Sequence, residues 1–154
     1  MTKEEINIFS KRVAQSSKSE LVVISYEIIL NYIASAKAEL AKEDTEKFVF
    51  NVKKAKQFVN DLSSVLDFSQ KLSFELMNIY MYVDRCLVKS IVKRNNCDLD
   101  TVESVIGKLK IAFEEVSKTD DSGAMMKNGE QIYAGLTYGR GVLNEVTMRG
   151  NTYA

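Results

Sequence analysis

Residues 17–41 read SKSELVVISYEIILNYIASAKAELA, and the reading of this stretch decides the fold. At helical period, Val22, Tyr26, Ile29, Ile33, Ala36 and Leu40 recur at spacings of 4, 3, 4, 3 and 4, the pattern of a packing seam between neighbouring helices. Leu21, Ile24, Ile28 and Tyr32 form a second stripe beside the first. A helix apolar over that much of its circumference has to be covered on more than one side. Ser17 followed by Glu20 is an S-x-x-E capping box, in which each side chain satisfies an orphan backbone donor, so the helix starts here. It is expected to run to about Ala41, roughly 36 Å at about 1.5 Å per residue.

Downstream the same spacing repeats twice. After a KEDT break with Asp44 or Thr45 as the next cap, Phe48, Val52, Ala55, Val59, Leu62 and Leu66 mark a helix over about 45–66, with Phe50, Phe58 and Val65 off its seam. After a turn capped by Ser69, Leu72, Leu76, Ile79, Val83, Leu87 and Ser90 mark a third over about 71–94, with Met77, Tyr80, Met81, Val88 and Ile91 as a second line. A fourth runs to about Lys118, started by Asp100 with Glu103 or by Asp98, and turns Val102, Val105, Ile106, Leu109, Phe113 and Val116 inward. Four long helices on short connections predict an all-α fold, an antiparallel up-down-up-down four-helix bundle over 17–122.

Two flanks differ from this body. Upstream, residues 1–16 carry Ile6, Phe9 and Val13 at spacings of 3 and 4. That pattern suits a short helix of about two turns, marginal by itself, which persists only by laying its apolar face on the body; the alternative is a frayed terminus. Downstream, six of the seven glycines fall in residues 123–154, where helical periodicity stops. There the β-prone runs 132–138 and 142–148 flank Gly139-Arg140-Gly141. They predict a hairpin or, because an isolated hairpin is marginal in water, a glycine-rich arm that orders against a surface.

Composition narrows the chemistry. Lys plus Arg and Asp plus Glu each number 21, so no net field draws in nucleic acid or an anionic membrane. There is no histidine, which removes the usual general base near neutral pH and the commonest metal ligand, and no E-x-x-H pair is available for a di-iron bundle. Cys86 and Cys97 form neither a C-x-x-C motif nor a disulfide framework; they read as a core thiol and a surface thiol. The glycines of YGRG lack the strand-to-helix context of a phosphate loop. Lys47, Lys53, Lys54 and Lys56 read as a solvated helix face. No enzymatic activity, no metal and no cofactor are expected. MTKEEINIF lacks a basic start and an apolar run, and no stretch is expected to reach the roughly 20 apolar residues of a membrane span. The expected location is the cytoplasm, without membrane insertion.

A four-helix bundle needs one seam per helix, yet the first three helices carry a second apolar line rich in aromatics and methionine. One explanation is a wide-faced core. The other is a partner surface for an amphipathic segment, since contiguous apolar patches and methionine-lined grooves suit helix binding. A competing reading buries the surplus between two copies, a weak homodimer of a structural module that binds itself or another amphipathic helix.

The motifs resemble those of the FliS family of flagellar export chaperones. Ser17, Glu20, Leu21, Tyr26 and Glu27 fall on the marked positions of that family's opening helix. KAKQFVNDLSSVLD is similar to its second helix at Lys54, Ala55, Val59, Leu62, Leu66 and Asp67. LMNIYMYVDRCLVKS is similar to its third at Leu76, Tyr80, Tyr82, Arg85 and Leu87, and Phe113 stands where an aromatic is usual in the fourth. The chain departs at Lys18 for proline, Ile28 for glycine and Phe9 for tyrosine, and in its longer tail. The resemblance implies a non-enzymatic chaperone that binds the C-terminal segment of flagellin, prevents its premature polymerisation and passes it to the flagellar type III export gate. On that reading the partner contacts are expected at Phe50, Phe58, Ile79, Tyr80, Val83 and Leu87, and Ile6, Phe9 and Val13 form an N-terminal cap over the groove that the partner displaces.

Overall fold

The computed structural model describes residues 1–121 and Leu136. They form five helices and no strand: α1 (Lys3–Gln15), α2 (Lys18–Ala41), α3 (Thr45–Ser64), α4 (Lys71–Lys93) and α5 (Leu99–Ser117). The N-terminal segment is a helix in its own right. Thr2 and Glu5 close a capping box, and Phe9 and Val13 are buried against the body. The Arg12 guanidinium pairs with the Glu27 carboxylate of α2.

The box at Ser17 and Glu20 starts α2: the Glu20 amide donates to Ser17 Oγ at 3.3 Å, and the Ser17 amide donates to the Glu20 carboxylate at 2.8 Å. Asp44 caps α3 by accepting from the Lys47 amide at 3.0 Å. The other two caps differ from expectation. Gln70, not Ser69, precedes α4 and makes no side-chain cap bond; the turn is held through Asp67, whose carboxylate accepts from the Ser69 amide at 3.0 Å and whose carbonyl accepts from Ser73 Oγ at 2.6 Å. Asp98 precedes α5, but its carboxylate is drawn to Lys89 at 2.7 Å instead of the helix amides. Asp100 lies inside the first turn and, with Glu103, binds Lys37 at the end of α2. Arg94, left-handed at φ 51°, ends α4.

α2 is the central element, packed against α3 and α5, with α1 on a further side; α3 packs against α4. The second stripe of α2 is accordingly buried, from Leu21 through Ile24, Ile28 and Tyr32, and so is its seam from Tyr26 through Ala36, with Val22 and Leu40 at the ends partly buried. That burial also corrects the expectation about membrane spans. By length and composition α2 does pass as a span, because a helix covered on several sides has no need of a polar face. Cys86 is buried and Cys97 exposed, and neither is in a disulfide. The 132–138 and 142–148 runs lie outside the described residues except Leu136, which is helical, not extended, and is buried in the hydrophobic core cluster.

Candidate functional site

An apolar cavity of about 440 Å³ opens where the start of α2, the end of α3 and the start of α4 meet. Leu21 and Val22 form one wall, Phe58, Leu62 and Val65 the second, Leu72, Leu76 and Tyr80 the third, and Phe113 of α5 reaches in from behind. The opening follows from packing: α4 meets α5 far more sparsely than α2 meets either α3 or α5, so the core is not closed on that side. Leu72, an inward position by periodicity, is left 55% exposed.

The deep wall is aromatic. The Tyr26 and Tyr80 hydroxyls share a hydrogen bond at 2.6 Å, and the Tyr26 ring meets Phe113 edge-on at 5.7 Å between centroids. Burial raises the Tyr80 hydroxyl from its ordinary value of 10.0 to about 12. Tyr26 is pushed up further, by burial first and then by Tyr80. Both stay neutral across the physiological range. The pair is neutral and shares one hydrogen bond, and Tyr80 offers the cavity a largely hydrophobic ring. The polar residues Lys18, Asp61, Asp67 and Gln70 form the rim. The Ser69 backbone hydrogen bond holds Asp67 below the usual carboxylate range.

A second apolar recess, about 470 Å³, runs between α4 and α5. Ile79, Tyr82, Val105 and Leu109 line it, with Asn78 and Lys108 at its edges. Its position follows from the same sparse α4–α5 contact.

The sequence profile described as the flagellar protein FliS matches residues 6–120, three quarters of the chain and all five helices but for the first turn of α1. The chain belongs to the FliS family. Membership implies a flagellar export chaperone, a class of binding proteins and not of enzymes. No curated protein matches the chain.

In this FliS-family chain the six residues expected to meet a partner separate into three groups. Phe50 is 57% exposed, with Lys54 Nζ 6.0 Å above its ring. Burial holds Lys54 below the usual lysine range. Ile79 is half-buried in the α4–α5 recess. Phe58 and Tyr80 are buried and form part of the first cavity's wall. Val83 and Leu87 are sealed in the interior, at 0% exposure, because α4 turns its 76-80-83-87 line and not its 74-81-88 line towards α3 and α2. Of these four, then, Phe58 and Tyr80 are cavity wall, while Val83 and Leu87 lie in the core on the seam that their spacing marks. Of the N-terminal set, Phe9 and Val13 are core and Ile6 packs against it, yet no residue of α1 lines the cavity. α1 borders instead a polar recess with Glu20, Glu27 and Glu114.

Sequence reasoning missed Val22, Leu72 and Phe113 as site residues. The signal available was a turn that stays apolar: Val65, Leu66, Phe68 and Leu72 continue through a connection where polar residues are the rule.

Proposed function

We propose that α2–α5 form an antiparallel up-down bundle that works in the cytoplasm as a flagellar export chaperone. It holds the C-terminal segment of flagellin, prevents premature polymerisation and hands the segment to the type III export gate. The observation that carries this reading is the apolar cavity, open to solvent, in a chain of the FliS family. The client contacts lie along the walls at Val22, Val65, Leu72 and Phe113, continue through Ile79, Tyr82 and Leu109, and take in exposed Phe50.

Magnitudes suit the role. A disordered segment loses about 2–5 kcal/mol on ordering. At about 25 cal/mol per Å² of apolar surface, burial of about 200 Å² already offsets that loss. Net affinity is then a small difference, which is what release at the export gate requires. Titration with a flagellin C-terminal peptide should show one-to-one binding. Leu72→Asp, at an exposed rim position, should weaken it at least about tenfold, about 1.4 kcal/mol, while helicity is kept. Absence of any interaction at tens of micromolar overturns the reading.

A second reading rests on a different face. Phe74, Met81, Val88 and Val92 are exposed along one side of α4 at spacings of 7, 7 and 4. A patch of this kind suits self-association as a weak homodimer. A stable dimer by light scattering that ignores the flagellin peptide would favour it.

A further inference from the structure

The outward side of the second half of α4 carries an apolar row and a basic row side by side. Met81, Val88 and Val92 are exposed there, Val92 at 75%. Arg85, Lys89 and Lys93 follow at spacings of 4, and helical period sets that row directly beside the valines. Both rows line a shallow recess of about 310 Å³, with Asp84 on its other flank. Its described lining residues are distinct from those of the apolar cavity and of the α4–α5 recess.

The acids nearby are already engaged. Asp84 pairs with Lys56 of α3 at 3.0 Å, and Asp98 with Lys89 at 2.7 Å. Arg85 and Lys93 form no salt bridge among the described residues. The dipole of α4 accounts for part of this charge, since Lys93 and Arg94 stand at its negative end. Arg85 lies about two turns earlier, beyond that reach.

We infer that this surface docks an acidic amphipathic helix of another protein, whose apolar line packs on Val88 and Val92 while its carboxylates meet Arg85 and Lys93. Charge decides the occupant. A second copy laid antiparallel sets the basic row against itself, which repels. Residues 122–154 hold Lys127, Arg140 and Arg149 against Glu130 and Glu145, so the chain's own C-terminal part brings no acidic surplus. A flat anionic bilayer is the poorer match, because the recess is concave and only one flank of it is basic. The inference stands apart from the export-chaperone reading, whose client walls use other residues.

The probe is an amphipathic peptide of about four turns with leucines on one face and glutamates beside them. It should bind the full chain at least about tenfold more tightly than its glutamine-flanked counterpart, and less tightly as salt is raised. Equal affinity for the two peptides, or no binding of either, overturns the inference. The double change Arg85→Glu with Lys93→Glu should weaken the acidic peptide at least about tenfold, and Val92→Ser several-fold, with helical circular dichroism unchanged. Should the double change lose helicity, Arg85→Gln decides by a several-fold loss. Binding that ignores these variants lies elsewhere and overturns the inference. So does a preference for phosphatidylglycerol vesicles over the peptide, or a dimer by light scattering that Val92→Ser dissolves. The flagellin C-terminal peptide should bind Val92→Ser and the parent equally; a loss there makes this surface part of the client site and overturns the separate partner.

Discussion

At the scale of single residues, the Tyr26–Tyr80 pair joins two helices 54 positions apart in sequence through one buried hydrogen bond. Both side chains are almost fully buried. Tyr26→Phe or Tyr80→Phe strands its partner and should cost about 1–3 kcal/mol, whereas the double change removes both polar atoms and should cost less than the two singles together. A double-mutant cycle by urea unfolding checks this, and strictly additive losses would mean that the pair is not coupled. The pairing itself was invisible in the sequence. Periodicity put Tyr26 on a seam and Tyr80 on a spare line, because the direction of a phenol's polar tip depends on the neighbour it finds.

At the scale of elements, helix existence and ends were legible because their causes are local. The 4-3-4-3 spacing and the caps at Ser17 and Asp44 act within one turn of chain. The two misplaced caps have different causes: at α4 the local Asp67 turn, bonded to the Ser69 amide and the Ser73 hydroxyl, holds the chain in place of a cap, and at α5 Lys89 of α4 takes the Asp98 carboxylate. One element keeps a local weakness. Gly107 sits inside α5, and a Cβ built there meets nothing within 4 Å. Gly107→Ala should therefore stabilise the protein by roughly 0.5–1 kcal/mol, the helix-propensity difference, with no repacking cost. A thermal melt reads the result, and a lowered Tm would mean that α5 is more tightly enclosed there than its surroundings indicate.

At the scale of the whole molecule, stability and function meet at the same aromatic wall. Tyr80 in the folded state ionises near 12, Tyr26 higher still, and burial raises Tyr32 as well, against 10.0 for a free tyrosine. Raised folded values mean that the unfolded chain loses its protons first. The stabilisation is fully present below about pH 10 and is lost as pH rises from there towards 12 and beyond. Ionisation of the buried tyrosines, read by ultraviolet absorbance, should coincide with loss of helical circular dichroism; titration of all seven tyrosines near 10 with helicity intact would refute the burial. The sequence alone determined that the body of this chain is helical, where α2 and α3 are capped, that α2 is wrapped on several sides and that the FliS pattern runs through the body, because periodicity and capping are properties of neighbouring residues. Only the tertiary structure decided which apolar stripes close the core and which stay open. It buried Tyr80 and Phe58 from the second lines, left Leu72 and Phe113 at a cavity and brought Leu136 back to the cluster. Those outcomes depend on how closely α4 approaches α5, and that distance is set by the packing of all the helices together.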